Sequence, residues 1–455
     1  MNLVSINPAT GKPIKTYKEM KLSEVEQTIQ KNQKAFLKWK NKTINARSQR
    51  IKKAAQILLK NKNQYARMMT MEMGKPIKQA KLEIEKCALI CDYYTRNAHH
   101  FLKPIVIPTE AQKSYVSFEP IGILLAIMPW NFPFWQVFRA AIPALMAGNT
   151  ILLKHAANVT GCALAIENIF KKAGLQNHFQ TLVIHTPSIK NVIEHPLVKA
   201  ITLTGSTQAG KAVASLAGNA LKKTVLELGG SDPYIILDDA DIDQAVSACV
   251  YSRLINAGQS CIAAKRFIVI QTIQKKFEEK FLALMKTHTL GNPLNEKVTV
   301  GPMARMDLRD ELHNQVQMSI QKGARLLLGG KTPDMPGAYY PPTILTNVKK
   351  GMPVYDQETF GPVAAIISAK NKKHAIQIAN DSVFGLGASV FTKNTKSGEY
   401  IAQKELEAGA VFVNTFVRSD PRLPFGGIKE SGYGRELSYF GMHEFVNIKT
   451  VYIGK

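Results

Sequence analysis

The sequence predicts an α/β protein built from two doubly wound domains, and three observations carry that prediction. Through the first hundred residues apolar positions recur at three- and four-residue intervals, the period of amphipathic helices. From Gly122 onward, short apolar runs alternate with helical segments. A second series of the same kind begins near Tyr234. Strands that alternate with helices imply parallel pairing, because a parallel neighbour is reached only by a crossover connection.

The elements follow in chain order. SEVEQTIQKNQKAFLKWK and RSQRIKKAAQILLKNKNQYARMMTMEMG read as helices, and Ser23 with Glu26 three residues on reads as a capping box. In FLKPIVIPTEAQKSYVSFEPIG, prolines bracket alternating apolar residues, which predicts a β-excursion of hairpin type. GILLAIMP, TILLK, TLVIH and KAITLTG read as strands, with GCALAIENIFKKAG and TQAGKAVASLAG as helices between and after them. In the second series YIILDDA, RFIVIQ, ARLLLGG and AAIISA are strand-like, whereas DIDQAVSACVYSRLINAG and KKFEEKFLALMKTH are helical. The tail NIKTVYIGK reads as one more strand. No internal repeat or low-complexity linker interrupts this order.

Composition narrows the classes. At 455 residues and 45% apolar content, the chain can bury the cores of two or three domains. It has no run of about 18 apolar residues, so no membrane span is expected, and its start lacks the pattern of a signal peptide. A cytoplasmic location is the expectation. Five scattered cysteines (Cys87, Cys91, Cys162, Cys249, Cys261) argue for reduced thiols. Cys87 and Cys91, with His99 and His100 downstream, have a spacing that a metal site would use; two half-buried thiols on a helix face is the preferred reading, and no metal is expected. The net charge of +25 favours acidic small molecules. Its lysines are spread over helix faces without interleaved aromatics, so no specific nucleic-acid partner is expected.

One segment supports two readings. In KAITLTGSTQAGKAVASLAG, Gly205, Gly210 and Lys211 give GxxxxGK after a strand, as in an ATP-binding P-loop. That loop needs Ser or Thr next to carry Mg²⁺, and position 212 is Ala. The other reading is a dinucleotide site, with Gly205, Ser206 and Gly210 at a helix start facing a pyrophosphate. A tight strand-to-helix turn would need the same glycines for backbone reasons alone.

Four further motifs decide between them. PWNFP at 129–133 offers Asn131, a side-chain amide able to donate to an oxyanion. ELGG at 227–230 sets Glu227 before two glycines, GQSC at 258–261 places the Cys261 thiol after a flexible glycine, and ETFGP at 358–362 adds Glu358. With these motifs in this order, the chain resembles the aldehyde dehydrogenase superfamily along essentially its whole length. The resemblance implies a mechanism in which Cys261 attacks the aldehyde carbonyl. Asn131 and the Cys261 backbone N–H would hold the oxyanion, and Glu227 would activate the hydrolytic water. CoA-acylating relatives lack a carboxylate at the position of Glu227, so a free acid is the implied product.

The same resemblance assigns the cofactor, NADP or NAD. Lys154 and the helix start at Gly205, Ser206 and Gly210 would take the adenosine end, with Glu358 on the nicotinamide ribose and Trp130 and Phe360 beside it. Many NAD-preferring members have Lys-Pro-x-Glu at this point. Here Lys154 is followed by His155, Ala156 and Ala157, so the carboxylate that would repel a 2′-phosphate is absent and NADP is favoured. LLKHAANVTG and GQSCIAAKRF resemble the succinate-semialdehyde dehydrogenase group. Arg139, eight residues after Asn131, matches an arginine that grips the distal carboxylate. Where some semialdehyde enzymes have a second arginine, six residues before the cysteine, this chain has Ile255, and Ser419 or Arg422 are possible substitutes. Glutarate semialdehyde or a wider range of aldehydes stays open. Three parts are implied: a dinucleotide-binding domain at 1–105 and 121–228, a catalytic domain at 229–425, and an oligomerisation element at 106–120 and 430–455. The last would serve a homodimer or homotetramer.

Overall fold

The computed structural model describes residues 2–455. Two open sheets organise the chain. The first has six strands in the order Gly432–Tyr433, Lys223–Glu227, Val198–Thr204, Ile123–Met128, Thr150–His155 and Phe179–Thr181. All its pairs are parallel except Gly432–Tyr433 on Lys223–Glu227. The second has seven, in the order Arg325–Leu328, Thr343–Thr346, Val363–Ala369, Arg266–Ile270, Pro233–Ile236, Gly387–Phe391 and Ala410–Val413. Only its first pair is antiparallel.

Central strands such as Ile123–Met128 and Arg266–Ile270 are apolar without alternation because helices cover both of their faces. Helix Trp135–Ala147 is buried at every position, which is why its sequence is apolar all round. The first sheet reverses its winding between Ile123–Met128 and Val198–Thr204: from Ile123–Met128 the chain moves to one side at Thr150 and to the other at Val198. A crevice opens outside the carboxyl ends of strands at such a switch point, and the candidate site lies there.

Several expectations are corrected. The first hundred residues are not wholly helical, because Asn2–Ile6 and Pro13–Lys18 form an antiparallel hairpin. The capping box sits two residues earlier than Ser23 and Glu26: helix Leu22–Trp39 begins after Lys21, whose N–H donates to Glu24 Oε2 at 2.7 Å. The strand read at TLVIH is Phe179–Thr181, ending where the edge of the sheet is reached. The excursion does pair, Ile105–Val106 with Lys113–Pro120, and the C-terminal strand Val446–Ile453 adds to it. Of the segment 430–455, Gly432–Tyr433 instead joins the first sheet.

All five cysteines are free thiols, and Cys87 and Cys91 are fully buried in helix Ile77–Phe101. Among the described residues no cluster of His, Cys, Asp and Glu could hold a metal ion. No described helix is long and apolar enough to cross a membrane.

Candidate active site

The Cys261 loop is shaped by backbone that few residues tolerate. Helix Ile242–Leu254 stops at Ile255, and Asn256, Ala257 and Gly258 follow with φ of 53°, 52° and 75°. Such a left-handed run costs non-glycine residues free energy and persists only where its surroundings hold it. Here they do. Asn256 Nδ2 donates to the carbonyls of Asn131 (2.7 Å) and Gln259 (3.1 Å). Gln259 Oε1 accepts from the Ala304 N–H at 2.9 Å, and buried Arg253 donates to the Gly258 carbonyl at 2.6 Å. A Cβ on Gly258 would lie 2.1 Å from the Gly361 carbonyl oxygen, so only glycine fits. Lys265, fully buried, donates to the carbonyls of Ser260 (3.0 Å) and Cys261 (2.7 Å) and lies 3.6 Å from Glu358. The loop is thereby fixed from both sides.

This loop brings Cys261 to the switch point of the first sheet. Asn131, on the turn after Ile123–Met128, donates from Nδ2 to the Gln259 carbonyl at 3.2 Å and lines a cleft with Cys261. The cleft holds about 470 Å³ and is walled by Trp130, Gly205, Ser206, Glu358 and Phe360 among others. Glu358 accepts from the Gly230 N–H at 3.0 Å, and the rings of Trp130 and Phe360 meet edge-on at 5.7 Å. A second, smaller cavity of about 90 Å³ lies on the far side of the thiol, with Phe132, Trp135, Arg139, Ile255, Ser419 and Phe425 among its walls. Of all the lining residues, Cys261 alone belongs to both cavities.

Two of the cofactor residues named from sequence fall outside the 470 Å³ cleft, and Glu227 lines neither cavity. Gly210 packs against the sheet instead: a Cβ there would come within 2.5 Å of Leu228. Its role is close helix–strand approach. Lys154 stands at the end of Thr150–His155, half-buried and without an ion-pair partner among the described residues, three residues before exposed Ala157. Its neighbour His155 is locked between the carbonyls of Met128 (3.1 Å) and Pro133 (2.9 Å), and burial pushes its pKa down to about 4.

The P-loop reading is overturned. Helix Thr207–Asn219 starts two residues after Gly205, with Ser206 Oγ capping the Ala209 N–H at 3.3 Å, so no phosphate-wrapping loop intervenes. Lys211 points to the surface and pairs with Glu430 at 2.9 Å.

The charged centre is more crowded than the sequence implied. Arg139 is 2% exposed, ion-paired with Glu436, 3.9 Å from Glu227 Oε2 and 3.3 Å from Thr204 Oγ1. Its guanidinium lies 4.7 Å over the Phe425 ring. Burial raises the Glu227 carboxyl to about 8; Arg139 pulls it down and Glu436 pushes it up. Burial likewise pushes the Cys261 thiol up to about 12, with Arg139 opposing and Glu227 adding. Glu436, Lys265, Asn256 and Gln259 were not singled out from sequence. Lys265 and Gln259 flank Cys261 in GQSCIAAKRF and were there to be found, whereas Glu436 arrives through an antiparallel bridge to Phe425 and has no local signal. Arg253 does not line the smaller cavity and donates to the Gly258 carbonyl instead. Arg422 is exposed and pairs with Asp420, so it is no substitute for the missing arginine; Ser419 does line the cavity.

Comparison with known proteins accords with this geometry. The chain is 46% identical over 450 residues to a succinate semialdehyde dehydrogenase [NAD(P)+] of Escherichia coli (strain K12), covering 99% of this chain and 97% of that one. It is 47% identical over 454 residues to a probable succinate-semialdehyde dehydrogenase [NADP(+)] of Synechocystis, covering all of both. The crystal structure of succinic semialdehyde dehydrogenase from Streptococcus pyogenes in complex with NADP+ superposes with a TM-score of 0.97 at 36% identity, again over the whole of both chains. Both sheets and the cysteine loop between them lie within residues 2–451, the span that matches the aldehyde dehydrogenase family, and the chain belongs to that family.

Proposed function

We propose that the protein oxidises succinate semialdehyde to succinate with NADP or NAD, NADP being favoured. One observation carries the reading: among the described residues, the only one shared by the large cleft and the small cavity is a cysteine. An aldehyde seated in the small cavity and a dinucleotide in the cleft would then meet at Cys261 Sγ. The names of the E. coli, Synechocystis and S. pyogenes relatives support the same substrate and cofactors.

The cleft suits a dinucleotide on its own chemistry. It is of cofactor size, a capped helix N-terminus opens onto it at Ser206, and Glu358 presents a carboxylate suited to ribose hydroxyls. Lys154, without an acidic partner among the described residues and followed by uncharged Ala156 and Ala157, suits a 2′-phosphate.

In the reaction, Sγ of Cys261 bonds to the aldehyde carbon while the thiol proton passes to Glu227. The oxyanion formed takes hydrogen bonds from the Asn131 amide and the Cys261 N–H. Bound NADP or NAD supplies a hydride acceptor, and loss of the hydride leaves a thioester on Cys261. Glu227, having given its first proton up to solvent, takes a proton from water as its oxygen attacks the thioester carbon. The C–S bond breaks, and succinate and the thiol are released. Arg139 lines the small cavity and, although ion-paired with Glu436, would add to the field that draws the distal carboxylate in. The exposed apolar side chains Val106, Ile448 and Tyr452 on the three-stranded sheet support assembly as a homodimer or homotetramer.

A substrate panel with both cofactors tests the proposal, following dinucleotide reduction with succinate semialdehyde, glutarate semialdehyde and butanal. The highest kcat/KM is expected for succinate semialdehyde with NADP. No reduction with any aldehyde, or equal kcat/KM for butanal, would refute it.

A further inference from the structure

Lys86 projects from the middle of helix Ile77–Phe101 into the small cavity, where it lines the wall together with Cys261, Arg139 and Ser419. Its Nζ donates to Ser419 Oγ at 2.8 Å and lies 4.1 Å over the Trp135 ring. An ammonium has three donors, and among the described residues no carboxylate comes within ion-pair distance of this one. Arg139 is different, because Glu436 already neutralises it. Arg418, the other cation of the cavity, is exposed at the rim. Burial, with Arg139 adding to it, pushes the Lys86 ammonium down to about 8, as expected of a charge that has lost water without gaining a counter-ion.

We propose that Lys86 and the Ser419 hydroxyl together bind the distal carboxylate of the substrate, so that a lysine on a distant helix supplies the charge that Ile255 does not. Because Lys86 donates to Ser419, the serine hydroxyl proton is left free to donate onward. One carboxylate can then accept from the ammonium through one oxygen and from the hydroxyl through the other. The helix fixes Lys86 against Trp135, which keeps the cost of ordering a long side chain low. Ile255 adds an apolar wall to the same cavity and contributes no charge.

The inference rests on the semialdehyde reading above, and its test separates the two. Wild type, K86M, K86R and S419A are compared by the ratio of kcat/KM for succinate semialdehyde to that for butanal. Direct binding of succinate to the enzyme is measured alongside by calorimetry. Losing a charge-assisted hydrogen bond to a carboxylate should cut the ratio in K86M by roughly 10- to 100-fold, through KM for the semialdehyde. Succinate affinity should fall in parallel, and K86R should recover part of both. K86Q, which keeps a donor toward Ser419, covers the case in which K86M does not fold. If K86M or K86Q slows both aldehydes equally, or leaves succinate binding intact, Lys86 is a structural prop for Trp135 and the proposal fails. If wild type itself shows no preference for the semialdehyde, the substrate reading fails instead.

Discussion

Replacing Arg139 with alanine tests the electrostatics of the centre as much as its grip on substrate. The guanidinium lies 3.9 Å from Glu227 Oε2, with both side chains almost wholly buried. Unit charges at that distance attract by on the order of 4 kcal/mol at an effective dielectric constant of about 20. Glu436 sits on the same guanidinium and offsets much of this field. The share felt by Glu227 is therefore roughly 1–2 kcal/mol, or about one pK unit. Without Arg139 the Glu227 carboxyl, already raised to about 8, rises further. A general base works only when ionised, so hydrolysis accelerates as pH rises through its pKa. R139A should displace that rising limb upward by about one unit, and near neutral pH it should lose roughly tenfold in turnover even with butanal, which has no carboxylate to bind. The assay is a pH–rate profile with both aldehydes, backed by burst amplitudes that isolate hydrolysis. Removing Arg139 also strands buried Glu436, at a cost of about 3–5 kcal/mol. Thermal unfolding should therefore drop in R139A and recover in R139A/E436Q. A butanal profile that superimposes on wild type, with only KM for the semialdehyde raised, refutes the electrostatic argument.

Other outcomes follow from the same geometry. Glu227→Gln keeps the shape of the base but removes the acceptor of both the thiol proton and the water proton, so it should slow the burst of dinucleotide reduction as well as the steady state, the latter by at least about 100-fold. A burst at the wild-type rate would mean that the thiol proton leaves by another route. Ala157→Glu places a carboxylate beside Lys154 and should shift the NADP-to-NAD ratio of kcat/KM toward NAD by about tenfold or more; an unmoved ratio would place the 2′-phosphate elsewhere. Because the Cys261 thiol stands near 12, its alkylation by iodoacetamide should rise about tenfold per pH unit from pH 6 to 9. A plateau below pH 8 would show a thiolate far more stable than burial allows.

What the sequence disclosed and what it hid divide along physical lines. Parallel strands buried on both faces announce themselves as apolar runs, so both sheets were legible, as were the motifs that end their strands at the site. The N-terminal hairpin was missed because Pro13–Lys18 is mostly exposed and polar, with no apolar face to betray it. Gly210 was read as a phosphate contact because a glycine at a helix start serves either close packing or close ligand approach, and only its contact with Leu228 distinguishes them. Glu436 and Lys86 lay beyond local reading altogether. Each reaches the site from an element remote in sequence, one through a β-bridge to Phe425 and the other from a helix whose remaining inward face is ordinary core.

The buried arginine also constrains when Cys261 can become a nucleophile. Arg139 faces two carboxyls and a thiol in a space with little water. Arg435 and Lys265 also favour the anionic forms of Glu227 and Cys261, but a thiolate would still add to the carboxylates that already face Arg139. Glu436, as the direct ion-pair partner, holds the first claim on that charge. The proton of Glu227 is then exchangeable near neutral pH, while that of Cys261 is not. Moving a proton from the thiol to the ionised carboxylate costs on the order of 5 kcal/mol before an aldehyde is present. Burial therefore favours the protonated sulfur, and the new negative charge is held better on an oxygen facing the Asn131 amide. On this account Asn131 has two tasks. It stabilises the oxyanion, and through it the aldehyde itself becomes the trigger that draws the proton from Cys261.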